Sequence, residues 1–320
     1  MSQPTVVFLD RATIPEQIIL PQLKMDHIWR EYDFTSPELT LERSLGAQVL
    51  ISNKVVLNAD ILSQLPDLKL IAVCATGVNN VDLDYCAAQG IAVTNIQGYA
   101  TQCVPEHVVA MMFALRRNLK GYHQDIEAGE WQRNKQFCFF THPIGDIAGS
   151  TLGIIGGGVL GQAMAQLAKA LGMKVIFAEH KDSSTCRSGY MPFQDVLQQA
   201  DILTLHCPLT EQTRNLIGRD EFTQMKSSAI LINTGRGGLV DESALVEALE
   251  QGYIAGAGVD VFSQEPADEG NPLIANAQLP NLLLTPHVAW GSDSAITKLV
   301  GILIDNIDGY FSGHEQNRVI

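Results

Sequence analysis

Three side chains of complementary chemistry stand just behind short apolar runs late in the chain. Arg236 lies in NTGRGG after AILIN, Glu265 in VDVFSQEP after AGAGVD, and His287 in TPHVAW after LLLTP. Histidine titrates near neutral pH and can serve as acid or base. A carboxylate beside an imidazole fixes its tautomer and stabilises its charged form. A guanidinium grips a carboxylate through paired N–H groups and stabilises charge developing on a carbonyl oxygen. Together they suit one task. Oxidation of a 2-hydroxy acid needs a base for the hydroxyl proton while hydride leaves C2, and reduction of the keto acid needs the same group as an acid.

Such chemistry needs a hydride carrier, and the chain has a motif for one. In GIIGGGVLGQAMAQLAKALG, Gly156, Gly158 and Gly161 form G-x-G-x-x-G behind an apolar strand and ahead of a helical pattern. Met164, Leu167, Ala168 and Leu171 are expected on one face of that helix. Glycines here allow a tight turn, close approach of a pyrophosphate, and close helix–strand packing. The pyrophosphate then meets free N–H groups at the positive end of the helix dipole. The next strand, KVIFA, ends at Glu179, where an acidic side chain accepts from ribose hydroxyls and repels a 2′-phosphate. NAD is therefore expected over NADP. His180 and Lys181 follow Glu179 and would meet a 2′-phosphate if Glu179 turned away.

The elements that must position these residues alternate between apolar runs and amphipathic stretches, as in doubly wound parallel sheets. The first series has strands near 6–9, 48–51, 70–74 and 91–95, and a helix with Asn80 as N-cap and Gly90 as stop. The second has strands near 151–156, 174–178, 201–206, 229–233, 255–260 and 282–286, and a helix over 241–252 with Asp241 as N-cap. Two series predict two α/β domains with a junction near 96–101, followed by a helix over 104–119. The aromatic stretch 131–150 reads as a long irregular loop, which is usually functional or covered by a partner. Ligands bind beyond the carboxyl ends of parallel strands, where Arg236, Glu265 and His287 all fall.

The balance of the composition is ordinary for a globular chain of 320 residues, 46% apolar and 18% charged. A net charge of −14 disfavours nucleic acid and anionic membranes as partners. An anionic substrate must then be drawn by local cations. No signal peptide or membrane span is expected, and no metal site. The six cysteines are scattered without a CxxC pair, which reads as free thiols in a cytoplasmic protein.

GIIGGGVLG, HCPLTEQTRNLIG, LINTGRGGLVDESAL, GAGVDVFSQEP and LLLTPHVAW, in this order, resemble the D-isomer-specific 2-hydroxyacid dehydrogenase family. ISNKVVL, ATGVNNVD, NIQGYAT and HVAWGS resemble its glycerate dehydrogenase/hydroxypyruvate reductase branch. The resemblance implies a Rossmann cofactor domain, 101–287, inserted into a flavodoxin-like substrate domain, 1–100 plus 288–320. It implies Arg236, Glu265 and His287 as the catalytic set and Asp260 near the nicotinamide carboxamide. It places Val159, Leu160, Cys207, Pro208, Thr213 and Thr234 along the cofactor groove. Lys54 and the turn Thr76, Gly77 and Val78 would face the substrate carboxylate, beside Arg236 and His287. It also implies a homodimer, which would cover the aromatic stretch.

The small anionic acid stays open at this point: D-glycerate/hydroxypyruvate or glyoxylate is expected, with lactate, 2-ketoisocaproate or phosphoglycerate as alternatives. With 33 residues after His287, the regulatory domain of many phosphoglycerate dehydrogenases is not expected. Formate dehydrogenases resemble the pattern but place Gln where this chain has Glu265. A corepressor-like NADH-binding module is the rival from another class. Two departures from the family stand out: Glu179 where Asp is more usual, and the run DEGNPLIANAQL.

Overall fold

Most strands of this protein are short runs of buried apolar side chains with no polar alternation. β3 (Val49–Ser52) and β9 (Ile202–Leu205) are buried at every position. That pattern belongs to parallel sheet covered on both faces. The computed structural model describes residues 3–320. The chain divides into two units: residues up to Ala100 with Gly291–Ile320, and Thr101–Trp290.

In the first unit, β1 (Thr5–Phe8), β2 (Ile28–Glu31), β3, β4 (Leu70–Val73) and β5 (Ala92–Thr94) form a sheet in the order β2-β1-β3-β4-β5. All its pairs are parallel. This is the flavodoxin-like order, whose switch point lies between β1 and β3. One face buries Leu50, Leu57, Leu62, Ile71 and Val93. The helix Asp293–Ser312 belongs to this unit and starts with Ser292 accepting from the Ala295 N–H at 3.3 Å. Beyond it the chain returns to β5, where the Val319 N–H donates to the Val93 carbonyl at 2.7 Å.

In the second unit, β6 (Thr151–Ile155), β7 (Lys174–Ala178), β8 (Tyr190–Met191), β9, β10 (Ile230–Asn233), β11 (Gly256–Val259) and β12 (Leu282–Leu284) form the order β12-β11-β10-β9-β6-β7-β8. Every pair is parallel. β6 is the Rossmann first strand, and the order reverses between β6 and β9. Phe193, Phe222, Leu245 and Leu273 cover one face of the sheet, and Met111, Met164, Ala168 and Met173 the other. On the helix Val159–Ala170 the buried stripe is Gly161, Met164, Ala165 and Ala168, at i, i+3, i+4 and i+7. Leu167 and Leu171 flank that stripe half-buried.

Several local expectations are corrected. Asp82, not Asn80, caps the helix Leu83–Gln89 by accepting from the Tyr85 N–H at 2.9 Å. Gly90 ends it at φ 70° as expected. Asp241 caps Glu242–Glu250, accepting from the Ala244 N–H at 3.0 Å. The helix expected over 104–119 is two: Cys103–Arg116 and Leu119–Glu127, broken at Asn118 with φ 49°. The aromatic stretch opens with a short helix, Glu130–Asn134, before its irregular part. β2 and β8 carry no expected strand because they are edge strands whose exposed and half-buried residues lack the apolar run.

Candidate active site

The glycine turn follows β6 as the sequence requires. Gly156 sits at φ 102°, and a Cβ there would come within 2.5 Å of the Cys207 amide nitrogen. A Cβ at Gly161 would come within 2.0 Å of the Gly156 carbonyl oxygen. Both approaches require glycine. A Cβ at Gly158 would meet nothing within 4 Å, so the backbone there faces open space. Gly158 is the N-cap of Val159–Ala170 with no side-chain cap, and Val159 is exposed and Leu160 half-buried at the helix start. The N–H groups of this first turn are the kind of anion site that a pyrophosphate uses.

The loop after β9 closes the other side of the turn. Thr213 Oγ1 donates to the Pro208 carbonyl at 2.7 Å and accepts from the Thr210 N–H at 2.7 Å. Burial pushes the Cys207 thiol up to about 11, so it is neutral at physiological pH. After β10, Thr234 Oγ1 is buried without a hydrogen-bond partner. An orphaned hydroxyl after β10, an open glycine cradle after β6 and an uncapped helix start fit a bound dinucleotide.

Glu179 departs from expectation. It stands at the end of β7, but its carboxylate offers no idle acceptor to a ribose. Arg187 Nε and Nη2 bind it at 2.8 and 2.7 Å, and the His180 and Arg187 N–H groups donate at 2.9 Å each. Those bonds, the guanidinium's first, hold the carboxyl down to about 2. Arg187 lies beyond the strand run and follows no motif, so no sequence signal marked it.

The catalytic candidates sit on three neighbouring loops of this unit, after β10, β11 and β12. The Arg236 loop is braced by buried Asn233, whose Nδ2 donates to the Arg236 carbonyl at 2.9 Å and whose Oδ1 accepts from the Gly235 N–H at 3.1 Å. Arg236 itself is exposed, with Nη1 donating to the Gly235 carbonyl at 2.7 Å. A Cβ at Gly237 would come within 1.7 Å of the Phe262 carbonyl oxygen, so this loop lies directly against the next one. In that next loop the Phe262 N–H donates to Glu265 Oε1 at 3.0 Å. Glu265 Oε2 then takes His287 Nδ1 at 2.7 Å. Backbone contact and hydrogen bonds thus link the three loops in series.

His287 is held in a left-handed conformation, φ 56°, which costs a non-glycine residue about 1 kcal/mol. Its carbonyl accepts from Trp290 Nε1 at 2.8 Å. Fully buried Asp260 explains how the loop pays that cost. Its Oδ1 accepts from Thr285 Oγ1 at 2.5 Å and the Val288 N–H at 2.9 Å, and Oδ2 from the Ala289 N–H at 2.9 Å. His107 Nε2 lies 3.1 Å from Thr285 Oγ1. Asp260, expected beside a nicotinamide carboxamide, is here the brace of the His287 loop. Sequence reading missed Asn233, Thr285 and His107. The NTG and TPH contexts around them are the only signal that could have marked two of the three.

In the first unit the predicted substrate residues occupy two loops past the ends of β3 and β4. Buried Asp10, after β1, binds the Lys54 loop through its backbone. Oδ1 accepts from Asn53 N–H at 2.9 Å, and Oδ2 from Lys54 N–H at 2.7 Å and Val55 N–H at 3.3 Å. Asn80 Nδ2 donates to the Val55 carbonyl at 3.0 Å, tying the Lys54 loop to the turn of Thr76, Gly77 and Val78. Thr76 Oγ1 donates to the Ile96 carbonyl at 2.6 Å, and the Thr76 carbonyl accepts from Asn95 Nδ2 at 2.8 Å. Lys54 and Thr76 are exposed, Gly77 and Val78 half-buried. Asp10 and Lys54 stand at the switch point between β1 and β3, the position where open α/β sheets bind ligands.

Comparison with known proteins places this geometry. Residues 109–289 match the model of the D-isomer specific 2-hydroxyacid dehydrogenase NAD binding domain. The chain is 50% identical over 315 residues to a glycerate dehydrogenase of Methylorubrum extorquens, covering 98% of each. It is 32% identical over 297 residues to a hydroxypyruvate reductase of Blautia hydrogenotrophica, covering 91% of each. Among solved structures, the D-lactate dehydrogenase of Aquifex aeolicus complexed with NAD and lactic acid superposes with a TM-score of 0.81. That pair is 26% identical, over 97% of this chain and 96% of the other.

Proposed function

This chain belongs to the D-isomer specific 2-hydroxyacid dehydrogenase family, and we propose that within it the substrate pair is D-glycerate and hydroxypyruvate, with glyoxylate as a smaller keto acid accepted by the same groups. It is an NAD-dependent oxidoreductase acting at C2 of small 2-hydroxy and 2-keto acids. The choice among acids follows the 50% identity to a glycerate dehydrogenase over almost the whole chain.

The observation that carries the roles is the 2.7 Å bond from His287 Nδ1 to Glu265, on a loop abutting that of Arg236. With Nδ1–H committed to the carboxylate, Nε2 is the ring nitrogen that exchanges a proton with the substrate oxygen at C2. It takes the hydroxyl proton in oxidation and returns it to the keto oxygen in reduction. Glu265 orients the ring and stabilises its charged form. Arg236 pairs with the substrate carboxylate and stabilises charge on the keto oxygen. NAD, when bound, supplies the hydride chemistry at C2. On the first unit, Lys54 and the N–H groups of the 76–78 turn are proposed as donors to an anionic ligand.

The test is a panel of 2-keto acids followed by loss of NADH absorbance. Hydroxypyruvate should give the highest kcat/KM, glyoxylate the next, and pyruvate and 2-ketoisocaproate much lower values. Preference for pyruvate would reassign the substrate, and binding of NADH without turnover of any acid would favour the corepressor-like reading.

We also propose that the protein is a homodimer covering its aromatic stretch. Phe137 and Phe140 are 89% and 78% exposed, an unusual state for two neighbouring rings. Light scattering should give twice the 34.8 kDa of one chain. None of the described helices is long and apolar enough to cross a membrane, and a cytoplasmic location is part of the same reading.

A further inference from the structure

We infer that Arg187 is a specificity-determining residue that lets this chain take NADPH, the 2′-phosphorylated dinucleotide, at the same site as NADH. The inference rests on the reading of the glycine turn as a dinucleotide site.

An acidic residue at the end of the second Rossmann strand excludes a 2′-phosphate in two ways: by repelling its charge and by binding the free ribose hydroxyls. Glu179 is placed to do both and does neither. Its side chain is only 4% exposed, and Oε1 and Oε2 are filled by the Arg187 fork and two backbone N–H groups. A carboxylate has about four lone-pair sites, and five hydrogen bonds already share them. The charge of the pair cancels. What remains outward is the guanidinium, 55% exposed.

That guanidinium is also held in place next to the glycine turn. Its carbon lies 4.0 Å above the centre of the Tyr190 ring. The Tyr190 hydroxyl in turn sits at Gly157, where a Cβ would come within 2.0 Å of it. One stack therefore runs from the turn, through Tyr190, to Arg187. Arg187 Nε and Nη2 are committed to Glu179, and Nη1 is the remaining edge of the fork. A guanidinium fixed by a carboxylate behind it and a ring beneath it loses little freedom on meeting a phosphate. His180, 81% exposed, lies on the same strand end. The carboxylate that reads as an NAD selector thus serves instead to anchor a phosphate ligand.

Calorimetric titration of the substrate-free protein with NADH and with NADPH tests this without turnover. NADPH should bind within about tenfold of NADH in the wild type, where an unmasked acid would open a wider gap. In Arg187→Ala the NADPH Kd should rise by about tenfold or more while the NADH Kd moves by less than about threefold. Arg187→Lys, which keeps the charge but not the fork, should fall between. Competition by 2′,5′-ADP against 5′-ADP should show the same difference, isolating the 2′-phosphate. A wild-type gap above tenfold, or equal weakening of both nucleotides in Arg187→Ala, overturns the inference and leaves the NAD site standing. Failure of both nucleotides to bind overturns the site itself.

Discussion

His287 donates through Nδ1 to Glu265 at 2.7 Å, while the other oxygen of that carboxylate is pinned by the Phe262 N–H at 3.0 Å. The bond is directional at both ends, so the ring's tautomer and plane are set before a substrate arrives. The same backbone that pins Glu265 presses against Gly237, next to Arg236. His287 and Arg236, proposed as the acid–base and anion-binding residues, therefore share one frame.

Glu265→Gln removes the charge and keeps the shape. The Nδ1–H of His287 loses its charged acceptor, so the ring is held less firmly and keto-acid reduction should slow. kcat should fall by about 10- to 100-fold. Steady-state rates of keto-acid reduction check this, and a wild-type kcat would reduce Glu265 to a loop charge.

Arg236→Ala should lower kcat/KM by about a hundredfold or more, because the carboxylate anchor and the charge stabiliser leave together. Arg236→Lys should recover only part of it, since an ammonium cannot reproduce the planar fork. Wild-type kcat/KM in the alanine variant would remove Arg236 from the site.

Gly237→Ala tests the frame itself. A methyl 1.7 Å from the Phe262 carbonyl oxygen must push the two loops apart. Activity should drop by at least about tenfold, since small misplacements of catalytic groups cost that much or more. Thermal melting should fall as well, because the displaced Phe262 is buried in the core of this unit. Full activity would show that the spacing of Arg236 from Glu265 is unimportant.

Asp10→Ala strips three backbone N–H groups, those of Asn53, Lys54 and Val55, of their buried acceptor. The cost should be about 2–4 kcal/mol, read from urea unfolding. Where the variant still folds, KM should rise more than kcat falls, because the Lys54 loop is loosened. A loss confined to stability would make Asp10 structural only.

The Cys207 thiol, raised to about 11 by burial, is protonated throughout the neutral range. Alkylation at pH 7.5 should spare it while modifying exposed Cys186. Reaction at Cys207 should begin only as pH approaches 11, where thiolate forms. Peptide mapping after iodoacetamide at several pH values decides this, and labelling of Cys207 at neutral pH would contradict the buried setting.

Short runs such as LIAVC and AILIN were legible because a strand covered on both faces is apolar at nearly every position. The glycine turn was legible because Gly156 and Gly161 meet backbone atoms that no side chain can displace. Asp241 and Gly90 were legible as helix ends because capping is a local bond between near neighbours. The loop positions of Arg236, Glu265 and His287 were legible because each follows a strand end, where parallel sheets present their loops. All of these depend on contacts within a few residues or on a repeated pattern.

Other features depended on partners far along the chain. Asp10 reaches Lys54 across the reversal between β1 and β3, and Asp260 reaches Thr285 and Ala289 across a strand crossover. Asn80 looked like a cap because its neighbours allowed it, yet the folded chain uses it to join two loops. Glu179 carries the clearest lesson. Its position after a strand was visible in the sequence, but whether its oxygens are free depends on an arginine eight residues on, folded back over Tyr190. Local order follows from the covalent neighbours of a residue. The protonation, pairing and reach of a side chain follow from what the fold brings beside it, and no single stretch of sequence contains both halves of such a contact.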